Sequence, residues 1–142
     1  AKFTFEDLTD FQQSVEAAEG RFDILFGRDE LLLAGLACGA RGAVGSTYNY
    51  MAPLFRRVLE AFERGDLAQA RRWQSRAQRL VGLLRQSPNG VACGKEILNL
   101  CGVPVGPCRR PLPRFDAAAR ERLRAALEAI GFFRWKDGAD AP

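Results

Sequence analysis

Three groups of residues in this chain carry side chains capable of chemistry. Lys2 stands almost at the first residue; Gly27-Arg28-Asp29-Glu30 and Gly45-Ser46-Thr47-Tyr48-Asn49 each follow a short apolar run. A lysine at the end of a strand can attack a carbonyl carbon and form a Schiff base, provided its amine is neutral often enough. A lysine near a terminus is equally a solvated surface residue. Two adjacent carboxylates, Asp29 and Glu30, with the Gly27 carbonyl beside them, could accept hydrogen bonds from a polyhydroxylated ligand. Acidic residues in a first helical turn are also favoured by the helix dipole alone. Ser46 and Thr47 offer two hydroxyls and Asn49 an amide, which suit a ligand or a local cap and Asx turn.

The elements around these groups read as parallel α/β. Ala1-Lys2-Phe3 is compatible with the last residues of a strand. Thr4 to Glu19 reads as a helix with Thr4 as its cap, carrying Leu8, Phe11 and Val15 on one face and stopped by Gly20. Phe22 to Phe26 reads as a buried strand, Glu30 to Cys38 as a helix apolar nearly all round, and Gly42 to Gly45 as a very short strand. Strand and helix alternating with short loops imply right-handed βαβ units, which place polar clusters at the carboxyl ends of their strands.

Beyond Asn49 the pattern turns helical. Pro53 suits a first turn, and Leu54, Val58, Leu59 and Phe62 form a stripe that ends before Gly65. Asp66 to Gln69 reads as a capping box for a helix with Leu67, Ala70, Trp73, Ala77, Leu80 and Leu84 in register. Ser87 to Gly90 is a turn, Val91 to Leu100 a helix stopped by Gly102, and Asp116 caps a last helix bearing Leu123, Leu127 and Ile130. Four of the seven prolines fall between Val103 and Arg114, which implies an extended loop there. Residues 131–142 read as a loosely held tail. The expected organisation is a parallel α/β part over 1–65, a helical extension over 66–130 and the tail over 131–142.

At 142 residues the chain can bury one core, and 47% hydrophobic with 27% charged residues is ordinary for a globular protein. No apolar run has the length of a membrane span. No secretory signal opens the chain, and the absence of an initiator methionine leads us to expect a piece of a longer protein. The net charge of +4 comes from arginine spread over helices, a pattern of solvated faces, with nucleic-acid binding as the competing reading. With no histidine and four cysteines outside any C-x-x-C pair, zinc is not expected. Cys38 and Cys101 read as small core residues, and Cys38, Cys93, Cys101 and Cys108 together suggest free thiols in a reducing cytosol.

Taken in order, AKFT, FGRDE and GAVGSTYNY resemble the N-acetylneuraminate lyases of animal type. These belong to the pyruvate-dependent class I aldolases, alongside dihydrodipicolinate synthase. GDLAQARRWQ, the helix of Lys95, GVPVGPCRRPL and Lys136-Asp137-Gly138 extend the resemblance over essentially the whole chain. It implies the C-terminal part of a TIM (β/α)8 barrel: Lys2 would end strand six, Phe22–Phe26 would be strand seven and Gly42–Gly45 strand eight, with extra helices following. It implies that Lys2 forms a Schiff base with the keto carbon of open-chain sialic acid. Retro-aldol cleavage then yields N-acetylmannosamine and pyruvate. By the same resemblance Thr4, Gly27, Asp29, Glu30 and Ser46 hold the sugar tail.

No metal and no cofactor is expected beyond the covalent imine, and the full-length enzyme is expected to be a cytoplasmic homotetramer that binds neither nucleic acid nor membrane. The family's catalytic tyrosine and its Ser/Thr pair for the pyruvate carboxylate lie on earlier strands, and neither Tyr48 nor Tyr50 matches that tyrosine. These 142 residues are therefore expected to be inactive alone. A dihydrodipicolinate synthase-like aldolase and a truncated, non-catalytic product that keeps only binding or assembly surface are the alternatives.

Overall fold

The computed structural model describes residues 1–136. Two strands, β1 (Lys2–Phe3) and β2 (Leu25–Phe26), pair in parallel with Lys2 opposite Leu25 and Phe3 opposite Phe26. Helix α1 (Leu8–Ala18) forms the crossover between them. A parallel bridge from Phe26 to Ala43 adds a third segment on the far side of β2, where the Phe26 amide donates to the Gly42 carbonyl and the Val44 amide to the Phe26 carbonyl, both at 2.9 Å. Among the described residues the outer edges of β1 and of the Ala43 segment have no strand partner.

Both strand readings were too long. Phe22 is exposed and only Leu25–Phe26 is paired, and Gly42–Gly45 contributes one bridge rather than a strand. A ladder extends only as far as its neighbour, and β1 offers two residues. The parallel order of the three segments is as expected.

Local capping explains most helix starts. Thr4 does not cap α1; the Asp7 carboxylate does, accepting from the Thr9 and Asp10 amides at 2.9 and 3.2 Å. Asp29–Leu31 forms a single 3-10 turn before α2 (Leu32–Ala37), so the expected Glu30–Cys38 helix is shorter and starts tighter. Helix α3 (Tyr48–Glu63) bends at Met51, whose φ of −133° leaves the helical region, and Pro53 stands in the first turn after the bend. Asp66 caps α4 (Leu67–Gln86) through the Gln69 amide; the return arm of the capping box is not made, because the Gln69 side chain takes Arg72 instead. Asn89 and Asp116 cap α5 (Gly90–Leu100) and α6 (Ala117–Ile130) in the same manner. The proline-rich segment between them is irregular, tied to α5 by Lys95 donating to the Pro107 carbonyl and the Val105 amide donating to Asn99.

The core has two parts. Phe11 of α1 lies edge-on to Phe26 at 5.0 Å and near Phe3 at 5.3 Å, covering one face of the strands. The larger cluster joins Leu32, Leu54, Val58, Trp73, Leu80, Ile97 and Leu127 to Phe132 and Trp135. Leu31 packs on the first cluster and Leu32 belongs to the second, as the all-round apolar pattern of that helix implied. All four cysteines are thiols; Cys93 and Cys108 are the buried ones, whereas Cys38 and Cys101, expected among the core, are half-buried and pack against its smaller and larger clusters. Burial pushes the Cys93 thiol pKa up, which suits an inert packing residue.

The expected loose tail begins instead with a five-residue helix, α7 (Phe132–Lys136), after Gly131 closes α6 in the left-handed conformation at φ 83°. Phe132 and Trp135 are buried, and the Arg76 guanidinium lies 4.2 Å from the Trp73 ring centre and 5.7 Å from that of Trp135. Trp135→Ala is expected to lower unfolding free energy by about 3–5 kcal/mol, the cost of emptying such a site; denaturant melts of the two chains measure it. Asp137 and Gly138 lie outside the described residues. No described helix is long and apolar enough to cross a membrane.

Candidate functional site

Lys2, Thr4, Gly27 and Ser46 all lie at or just beyond the carboxyl ends of the three parallel segments. The approach between the first two segments is tight. The Gly27 amide donates to the Phe3 carbonyl at 2.7 Å. A methyl group placed on Gly27 would lie 2.6 Å from Lys2 Cε and 2.8 Å from the Phe3 oxygen, and would overlap the Thr4 hydroxyl. Glycine is therefore what lets the Lys2 and Thr4 side chains cross the end of β2. Lys2 and Thr4 are exposed in this chain.

Asp29 is held differently. It is 6% exposed, and its Oδ2 accepts from the Thr47 amide at 3.0 Å and from the Thr47 hydroxyl. Its Oδ1 has no hydrogen-bond partner and lies against Gly45, where an added methyl would overlap it. The third segment thus reaches the acidic turn through Thr47 and Gly45, and one carboxylate oxygen keeps its full accepting capacity. The half-buried Tyr48 packs edge-on against Phe55 at 4.5 Å, and its hydroxyl also lacks a partner. Burial, then the charges of Asp29 and Glu30, raise the Tyr48 phenol well above the ordinary range. It stays protonated and can only donate beside those carboxylates.

Glu30 is placed apart from the others. Its Oε1 accepts from Arg85 of α4 at 2.7 Å and faces Arg28 at 3.6 Å, while Arg28 also pairs with Glu6. Ser46 is exposed at the turn, with its carbonyl accepting from the Asn49 side chain at 2.9 Å. The structure therefore gathers Lys2, Thr4 and Gly27 around one strand end and joins Asp29 to the Ser46–Thr47 turn, with Glu30 turned to the C-terminal helices.

Sequence reasoning passed over several contributors. Thr47 was grouped with its neighbours but not singled out. Gln74 was missed altogether, although a glutamine between Trp73 and Ala77 on an apolar stripe is itself a signal. It is buried, donates to the Asp29 carbonyl at 3.1 Å and accepts from the Leu33 amide at 2.9 Å. Part of the arginine complement is committed internally: Arg28, Arg85 and Arg120 pair with glutamates, and Arg57 and Arg76 lie over Trp73.

The sequence model of the dihydrodipicolinate synthetase family matches residues 1–130. N-acetylneuraminate lyase of Mus musculus is 44% identical over 133 residues, which cover 92% of this chain and 42% of that protein. The structure of Proteus mirabilis N-acetylneuraminate lyase superposes with a TM-score of 0.85 at 40% identity, over 92% of this chain and 44% of that one. A Ruminococcus gnavus sialic acid aldolase, in the form of a catalytic lysine mutant, superposes with a TM-score of 0.81 at 29% identity, over 89% of this chain and 42% of that one. The chain spans less than half the length of these relatives.

Proposed function

The chain belongs to the dihydrodipicolinate synthetase family, and on that premise we propose that it supplies the C-terminal part of an N-acetylneuraminate lyase. In this reading β1, β2 and the Ala43 segment are strands six, seven and eight of a TIM barrel, residues 66–130 are its helical extension, and the missing strands pair with the two open edges. The observation that carries it is the meeting of Lys2, Thr4 and Gly27 at the ends of parallel strands, with the acidic turn pinned to the next strand end.

The chemistry follows from that arrangement. The Lys2 amine attacks the C2 keto carbon of open-chain N-acetylneuraminate, and loss of water leaves an imine. Protonated, the imine accepts the electron pair of the breaking C3–C4 bond while the C4 hydroxyl gives up its proton. N-acetylmannosamine departs, and the remaining enamine takes a proton and is hydrolysed to pyruvate, which regenerates the amine. No metal is needed, because the imine is the electron sink. The catalytic lysine named for the Ruminococcus gnavus relative supports giving this role to Lys2. Desolvation of that lysine, the tyrosine that moves the proton and the grip on the pyruvate carboxylate belong to strands outside this chain.

Thr4, the Gly27 carbonyl, Asp29 and Ser46 hold the hydroxyl-rich tail. Glu30 shares in this through its second carboxylate oxygen, since both arginine contacts use Oε1. We extend the reading to a homotetramer working in the cytosol, on the strength of the family and of four thiols.

The test is reductive trapping. The full-length polypeptide incubated with N-acetylneuraminate and borohydride should release pyruvate before reduction and gain a pyruvate adduct on Lys2 after it. The 142 residues alone should release none. Cleavage without a trappable lysine would overturn the assignment, and pyruvate release by the isolated piece would overturn the expectation that it is inactive alone.

A further inference from the structure

We propose that one face of α4, carrying Gln74, Gln78 and Arg85, positions the acidic turn for substrate, so that the helical extension is part of the binding apparatus and not only packing. The proposal rests on the reading of Asp29 and Glu30 as contacts for a polyhydroxylated tail.

Three contacts carry it. Gln74 donates to the Asp29 carbonyl, Gln78 donates to the Glu30 carbonyl at 3.2 Å, and Arg85 donates to the Glu30 carboxylate. At 100° per residue these three side chains leave α4 within about 40° of one another. The face therefore meets two consecutive residues of the turn, first by backbone and then by side chain, from 45 to 55 positions away in sequence.

The placement has a physical purpose. A 3-10 turn makes weaker internal hydrogen bonds than an α-helix, and its carbonyls keep a second lone pair for outside donors. Gln74 serves both ends of the turn: its amide nitrogen is a second donor to the Asp29 carbonyl, which already accepts from the Leu32 amide, and its amide oxygen satisfies the Leu33 amide in the first turn of α2. A buried glutamine with both polar ends engaged has one orientation available. It fixes where the Asp29 backbone sits, and the Thr47 contacts then fix the carboxylate. Arg85 anchors Oε1 of Glu30 and so determines where Oε2 faces.

These residues do not touch substrate in this arrangement; they act through Asp29 and Glu30. Their effect must then appear with a substrate that has the sugar tail and vanish with one that lacks it. Pyruvate is that second substrate, since it reaches Lys2 without any polyol.

The experiment uses the full-length polypeptide. Gln74→Leu is expected to raise KM for N-acetylneuraminate roughly tenfold, the equivalent of one buried hydrogen bond lost from the turn. Borohydride trapping of pyruvate on Lys2 should stay within about twofold of the parent. At the exposed position 85, where folding is not at stake, Arg85→Met should raise KM severalfold and Arg85→Lys should recover most of it. Hydrogen exchange gives a reading independent of turnover: Gln74→Leu should speed exchange at the Leu33 amide and across residues 28–31. Unchanged KM and unchanged exchange would overturn the proposal, as would a parallel loss of pyruvate trapping. If the parent protein releases no pyruvate at all, the lyase reading falls by itself, and the exchange rates still decide whether α4 holds the turn.

Discussion

Replacing Lys2 by methionine in the full-length protein is expected to reduce pyruvate release from N-acetylneuraminate by about 10⁴-fold or more, because no other group can form the imine. Methionine keeps most of the length of the side chain that crosses Gly27, so the end of β2 stays covered. Lys2 is exposed and its side chain supports no core residue, so stability should move by less than about 0.5 kcal/mol. The variant should retain affinity for the uncleaved sugar acid, measured by calorimetry, since Thr4, Asp29 and Ser46 are untouched. Arginine at the same position should be as inactive as methionine, because its guanidinium stays charged and is no nucleophile. A residual rate within tenfold of the parent would remove Lys2 from the chemistry altogether.

What could be read from the sequence alone divides along physical lines. Asp66 and Asp116 cap their helices through amides three residues away, so a local pattern sufficed to find those starts, whereas Asn89, read only as part of a turn, caps in the same way. Thr4 had the right chemistry for a cap, but Asp7 sits one residue before Leu8 and takes the two free amides itself. Strand lengths were not legible, because Phe22–Phe26 and Gly42–Gly45 pair only where a neighbouring segment exists to pair with. The C-terminal helix α7 was hidden behind Gly131, which marked an end; that Phe132 and Trp135 return to the core depends on Arg76 and Trp73 far upstream.

The candidate site divides in the same way. The polar clusters were visible because they interrupt apolar runs, and the order of the three motifs pointed to one family. The supports were not visible. Thr47 reaches back 18 positions to Asp29, and Gln74 reaches back 45 to the same residue. Such contacts exist only once the chain is folded, and no spacing rule along one helix or strand announces them. Asp29 consequently has a double character that neither initial reading held. Half of its carboxylate is structural, tied to Thr47, and the other half is buried against Gly45 without a hydrogen-bond partner.

That double character makes Gly45→Ala the second large expected effect. Its methyl would occupy the place of Asp29 Oδ1, so the carboxylate must rotate out of the grip of Thr47 or the third segment must move away from β2. In the full-length enzyme a displacement of this size in a positioning group is expected to lower kcat/KM for N-acetylneuraminate about 10²-fold. Losing the Thr47 contacts to a buried carboxylate should also cost about 1–3 kcal/mol of stability. Pyruvate trapping on Lys2 should persist, since Lys2 and Gly27 lie on the other two segments. Asp29→Ala separates the two causes. It removes the atoms that the new methyl strikes, so Gly45→Ala added to Asp29→Ala should cost almost nothing further, where two independent sites would add their losses. Additive losses in the double variant would mean that Gly45 acts through its own backbone, and the carboxylate would lose its standing as the group this glycine exists to admit.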